Sequence, residues 1–233
     1  MMNVPKTRER IRPNRAFTLL ELLVVISIIS IMMAILLPSL SRVRQQAKET
    51  QCRNNLRSMM FSQTTYINEY ERFPDLNNDE DDGAWQYNYL IYDGRDFDAN
   101  FGPLVSDEKY LDDIQVLYCP VQMDPYNSLA TPQNPWPVVS LLDTRAGYSR
   151  RFHLSGKSLS DFQGNPAVFA DALHLPKVVQ SGHVTGVNAV YLDGHVRWVK
   201  DQELLTKNDL GRPFSRDDNS VMEDIWDFLN RGR

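Results

Sequence analysis

Ala16-Phe17-Thr18-Leu19-Leu20-Glu21-Leu22-Leu23-Val24-Val25-Ile26-Ser27-Ile28-Ile29-Ser30-Ile31-Met32-Met33-Ala34-Ile35-Leu36-Leu37-Pro38 sets a single carboxylate, Glu21, inside an otherwise apolar run. About twenty such residues, at about 1.5 Å each, cover the roughly 30 Å hydrocarbon layer of a bilayer as a helix. An ionised carboxylate in lipid costs several kcal/mol, so Glu21 calls for a functional reason. The stretch before it carries Lys6, Arg8, Arg10, Arg12 and Arg15 against Glu9, which marks the end that stays in the cytoplasm. An ordinary secretory signal places its small-residue cleavage site after the apolar core and would not carry Glu21. Here the small residue next to the basic leader, Ala16, comes before the core.

These residues resemble the class III signal segment of type IV pilins and of the pseudopilins of type II secretion. In that family a prepilin peptidase cuts before a Phe, the new N-terminus is methylated, and a Glu stands at the fifth mature position. Phe17-Thr18-Leu19-Leu20-Glu21 reproduces the pattern, and Pro38 matches the Pro many members carry near the end of the apolar segment. The residue before the cut is usually Gly and is Ala16 here, the next smallest side chain. The resemblance implies processing between Ala16 and Phe17. It also gives Glu21 a role in assembly, pairing with the Phe17 amine of a neighbouring subunit. A buried charge left alone is costly, so such pairing would impose register on stacked helices. A protonated Glu merely tolerated in the membrane is the plainer alternative.

Removing residues 1–16 from the 233 leaves a mature chain of 217, enough for an anchor and one globular domain. The expected organisation is a basic leader at 1–16, a transmembrane and assembly helix at 17–37, an amphipathic continuation at 38–70, and an extracytoplasmic domain at 71–233. Leu40, Val43, Ala47, Leu56, Met60, Ile67 and Tyr70 form the apolar stripe of that continuation, and residues 39–70 contain no Pro or Gly. Pro38 removes a helical hydrogen bond and should kink or loosen the helix. Arg42, Arg44, Lys48, Arg53 and Arg57 read as its solvated side. From residue 71 onward fifteen Lys and Arg face twenty-six Asp and Glu, a net of −11. That acidity argues against nucleic acid as a partner.

Residues 75–83, Asp-Leu-Asn-Asn-Asp-Glu-Asp-Asp-Gly, read as a solvated acidic loop. Asn77, Asp79 and Asp81 have the spacing of a calcium loop's first ligands, but Asp82 stands where Gly is needed and Asn88 where Glu is needed. From 85 to 150 the chain predicts irregular connections, short strands such as Ile114–Tyr118, a short helix near 106–113 and a Pro-rich surface loop at 131–137. Cys52 and Cys119 are the only cysteines. In an exported domain they are either bridged, clamping the domain to its helix, or two separate buried thiols.

Asn188-Ala-Val-Tyr-Leu-Asp-Gly-His-Val-Arg-Trp-Val199 predicts a β-hairpin around a two-residue Asp193-Gly194 turn of type I′. His183 precedes Asp193-Gly194 by nine intervening residues, which resembles the H-X9-DG element of a bacterial subset of prepilin-like proteins. Cys119-Pro120 and Phe169-Ala170-Asp171 look like that subset too. Asp171, His183, Asp193 and His195 are chemically sufficient to hold a divalent metal, but Asp at a tight turn is expected for backbone reasons alone, and a structural role is favoured. Ser220-Val-Met-Glu223 reads as a capping box opening a short amphipathic helix.

Together these readings predict an α+β, pilin-like subunit: a long N-terminal helix packed on a small, mainly antiparallel sheet. No activated nucleophile, phosphate-binding glycine loop or HExxH motif is present, so an enzyme is not expected. No cofactor is required, calcium or another divalent metal being the alternative. The resemblance implies a prepilin peptidase and methylase, related pilin subunits, an inner-membrane assembly platform and the membrane as partners. It implies a single-pass inner-membrane protein that passes into a pilus or pseudopilus. Alternatives are a membrane-anchored extracytoplasmic ligand- or metal-binding module using this export segment, and a minor tip pilin that recognises a ligand.

Overall fold

The apolar run and the Pro- and Gly-free stretch after it form one element, the longest, α1 (Leu19–Tyr70). The computed structural model describes residues 18–75, 88–98, 100–106, 110–151, 154–173, 176–183, 186–200 and 220–231. The leader 1–16, with Ala16, lies outside the described residues, as do Phe17 and all but Asp75 of the acidic segment. The chain divides into two units, Met1–Arg44 and Gln45–Arg233.

In the first unit α1 is apolar and its side chains are exposed from Leu19 to Val43. It is the one described helix long and apolar enough to cross a membrane. Ser27 and Ser30 donate their hydroxyls to the carbonyls of Leu23 and Ile26, each at 2.7 Å, so neither is left unpaired in this surface. Pro38 sits inside the helix without ending it, and Ser39 Oγ donates to the Leu36 carbonyl at 2.9 Å beside it.

In the second unit Cys52, Leu56, Met59, Met60 and Ile67 are buried at three- and four-residue spacing. The buried face therefore starts at Cys52; Leu40, Val43 and Tyr70 of the expected stripe are exposed. Arg53 departs from the solvated row as well, because its Nε donates to Asn188 Oδ1 at 3.2 Å. The helix closes with Glu71 at φ 60, its N–H donating to the Ile67 carbonyl at 2.7 Å.

The strands β1 (Leu90–Asp93) and β2 (Asp143–Arg145) pair antiparallel as a small ribbon. A second sheet is an antiparallel meander of β3 (Tyr148–Arg150), β4 (Ala167–Asp171), β5 (Val187–Tyr191) and β6 (Val196–Val199) in that order. Between the ribbon strands lies α2 (Gly102–Val105), and α3 (Pro176–Ser181) precedes β5. The short helix expected near 106–113 thus falls earlier, with residues 107–109 outside the described set. Ile114–Leu117 is a 3-10 turn and not a strand, because Asp113 accepts the Gln115 N–H at 2.8 Å and fixes a helical start.

Alternation along β5 explains how the sheet is covered. Val190 joins the core that contains the α1 face, Phe101, Tyr148 and Phe169. Val187, Ala189 and Tyr191 join a second core with Ile225, Trp226 and Leu229 of α4 (Ser220–Arg231). α4 is tied down by Tyr191 Oη donating to the Leu229 carbonyl at 2.7 Å and by Asn230 Oδ1 accepting the Ala167 N–H at 2.9 Å. The side chains of Ser220 and Glu223, the expected capping box, lie outside the described set.

The β5–β6 hairpin forms where its alternation predicts, Val190 facing Val196 and Val187 facing Val199. Its turn differs from the expected type I′. Gly194 N donates to the Tyr191 carbonyl at 2.8 Å and Tyr191 N to the His195 carbonyl at 3.0 Å. Gly194 has φ 83, and Asp193 is not among the residues at positive φ. This is a three-residue loop with a glycine bulge, in which only the glycine needs the left-handed region. Replacing Trp226 by Ala should cost about 3–5 kcal/mol, read as a fall in urea midpoint. Gly194→Ala should cost only about 1 kcal/mol, since an added Cβ would meet nothing within 4 Å and only the backbone is strained.

Candidate functional site

Two places gather the residues singled out from the sequence. At the first turn of α1, Thr18 and Glu21 close on one another. Glu21 Oε2 accepts from Thr18 N and from Thr18 Oγ1, both at 2.9 Å, and Glu21 N donates to Thr18 Oγ1 at 3.2 Å. This is a reciprocal capping box, which satisfies helix N–H groups that would otherwise be unpaired. Its Thr-x-x-Glu spacing is a sequence signature of a helix start that the sequence reading did not use. Glu21 is thus held at the helix start by its own chain, four residues from Phe17, the end that the expected cleavage would create.

The second place is buried in the Gln45–Arg233 unit. Cys52 on α1 and Cys119, two residues beyond the 3-10 turn, are joined as a disulfide with their Cα atoms 5.2 Å apart. His183 Nε2 lies 3.4 Å from Cys119 Sγ and 3.5 Å from Asp171 Oδ2. Asp171 is the last residue of β4, and its Oδ2 accepts the Asn188 N–H at 2.6 Å and Asn188 Nδ2 at 3.0 Å. The His183 ring meets the edge of Trp198 at 5.2 Å, and Asn188 Nδ2 is 3.3 Å from Nε2. So His183 bridges the disulfide to both strands of the hairpin. Burial pushes the Asp171 carboxyl up, while His183 and the two Asn188 donors oppose that shift.

The loop after Cys119 sets the position of His183. Gln122 Nε2 donates to the Val178 carbonyl at 3.0 Å, Gln122 Oε1 accepts from Ser181 Oγ at 2.7 Å, and Met123 N donates to the Ser181 carbonyl at 3.1 Å. These bonds fasten α3 to the disulfide loop. Gly147 is needed for the fit, since a Cβ there would lie 2.9 Å from Cys119 N. Among the described residues the group able to hold a metal is Cys52, Cys119, Asp171 and His183.

Asp193 and His195 are brought to each other instead, Oδ1 to Nδ1 at 2.6 Å, on the exposed turn. His195 stacks on Tyr191 with centroids 4.3 Å apart, and Asn165 Oδ1 accepts the Asp193 N–H at 3.0 Å. Slight burial raises the Asp193 carboxyl, but bonds from the His195 N–H, Asn165 and the His195 ring outweigh it and hold the group below its usual range. The four expected metal residues therefore form two pairs, one buried beside the cysteines and one on the surface. The cysteines as neighbours of Asp171 and His183 were missed in the sequence, where the separations of 52, 119, 171 and 183 carry no periodic signal.

If the bond between Cys52 and Cys119 is present in the exported protein, nonreducing peptide mapping should recover both in one linked fragment. Replacing both by Ala should then lower stability by up to ~4 kcal/mol, the chain-entropy value for a loop of this length. Two free thiols and an unchanged urea midpoint would be the contrary result.

Comparison with known proteins bears on the first place. Residues 11–37 match the prokaryotic N-terminal methylation motif. Over 66 residues the chain is 33% identical to the type IV major pilin protein PilA of Myxococcus xanthus (strain DK1622), an alignment covering 28% of this chain and 30% of that pilin. The match thus spans about three-tenths of that relative's length. No solved structure matches the chain. The methylation motif and the partial pilin match make the N-terminal part of the chain similar to that of type IV pilins, and its long helix and antiparallel sheets put it in the α+β class.

Proposed function

We propose that this protein is a structural subunit of a filament, either a type IV pilus-like fibre or a secretion pseudopilus. It is made as a prepilin, cut between Ala16 and Phe17 and methylated on Phe17 by a prepilin peptidase. The observation that carries the reading is the apolar half of α1, exposed along its length with Glu21 in its first turn, inside a matched methylation motif. A surface of this size is stable only in lipid or against other helices. Before assembly the helix anchors the subunit in the inner membrane with the basic leader in the cytoplasm. During assembly, related subunits delivered by an inner-membrane platform bury it. The Phe17 amine of a neighbour then supplies the positive partner for Glu21.

The mature N-terminus, read by mass and sequencing from cells with an intact processing system, tests the pathway. A chain starting at methylated Phe17 is expected; one starting at Met1 would leave a plain anchor carrying a binding module. The capping box makes a sharper test of Glu21 possible. Gln at the same position keeps the cap but carries no charge. Glu21→Gln is therefore expected to insert and be cleaved like the parent while assembling few fibres. Normal fibre yield from Glu21→Gln would reduce Glu21 to a helix cap, worth about 1 kcal/mol.

A further inference from the structure

We propose that Cys52, Cys119, Asp171 and His183 form a zinc site when the disulfide is reduced, so that metal and disulfide are alternative closures of one clamp. The four donor atoms lie within 4.8 Å of one another and all four residues are buried. A tetrahedral zinc with bonds of about 2.0–2.3 Å holds its donors roughly 3.3–3.8 Å apart. The Cys119 Sγ–His183 Nε2 separation of 3.4 Å and the His183 Nε2–Asp171 Oδ2 separation of 3.5 Å already fall in that range. The two bonded sulfurs must part to reach that range, and reduction allows it.

Two further observations point to a ligand here. Asp171 Oδ1 is buried without a hydrogen-bond partner in a residue only 6% exposed, an arrangement that ordinarily costs about 1–3 kcal/mol. Asp171, Cys119 and His183 also line a cavity of about 10 Å³, room for a single small atom or ion. The surroundings hold the donors in place as outer partners of a metal site do. Asn188 fixes Oδ2, Arg53 fixes Asn188 from α1, and the Trp198 edge fixes the imidazole. Two thiolates, an imidazole and one carboxylate suit zinc and exclude calcium or magnesium, which take six or more oxygens.

The exchange balances. A dithiol gives two electrons and two protons to the Cys52–Cys119 bond and closes to its own disulfide, leaving two thiols. Zinc binding then releases those two protons to solvent as the thiolates coordinate.

The test uses the full chain in detergent micelles, reduced with a water-soluble phosphine, which becomes its oxide, and titrated with Co²⁺. One Co²⁺ per chain with tetrahedral ligand-field bands and a thiolate charge-transfer band is expected, displaced by Zn²⁺ and absent from the oxidised chain. His183→Ala and Asp171→Ala should each weaken binding at least roughly tenfold. If reduction unfolds the domain, zinc should restore its near-ultraviolet signal. A folded reduced chain without the cobalt spectrum, a spectrum surviving the Cys52→Ser and Cys119→Ser double substitution, or an unfolded reduced chain that zinc does not restore would each overturn the site.

Discussion

The globular unit depends on one contact: the buried face of α1 from Cys52 to Ile67 against the inner side of the meander. Each large side chain on that face contributes about 1.5–3 kcal/mol of burial, and the same core collects residues from the ribbon, the 3-10 turn and β4. Because the strands are joined in sequence order, the sheet forms from local hairpins, but the face that carries Val190 and Phe169 gains its hydrophobic floor only with α1. Polar anchors add direction to this burial. Asn55 Nδ2 donates to the Tyr118 carbonyl at 3.0 Å, one residue from the disulfide, and Arg53 reaches β5 through Asn188. Burial, covalent bond and polar contacts thus fix the same stretch of helix, which sets both its rotation and its height on the sheet.

Signals that are local in sequence were legible, and those that depend on distant partners were not. The apolar helix with its lone Glu21 and the alternation of 188–199 announce themselves because their periods, 3.6 and 2, are properties of a single segment. The type of turn at Asp193-Gly194 was not readable, since Asp-Gly serves both a two-residue loop and a glycine bulge. The choice is made by the hydrogen bonds of Tyr191 and His195. Ile114–Leu117 looks like a strand by composition, yet one carboxylate before it turns it helical. Arg53 reads as solvated by its neighbours on the helix, while its partner Asn188 lies 135 residues away. The same limit applies to the buried cluster, where four residues from four separate stretches of chain meet with no spacing rule to predict it.

The structure also separates two uses of histidine. His183 is enclosed by sulfur, carboxylate, amide and indole, so any change at the disulfide is felt at its ring. His195 is half exposed on a hairpin tip, where its contact with Asp193 is worth little in water. Both were candidates for the same metal site in the sequence; burial tells them apart.

Ser27 and Ser30 carry a quieter consequence. Each hydroxyl is spent on a carbonyl one turn back in the same helix, so both present themselves to their surroundings as small groups with no hydrogen waiting for a partner. In the proposed assembly, passing from lipid to a bed of neighbouring helices would require no exchange of hydrogen bonds at these two positions. In that proposal the helix changes its surroundings without changing its own bonding.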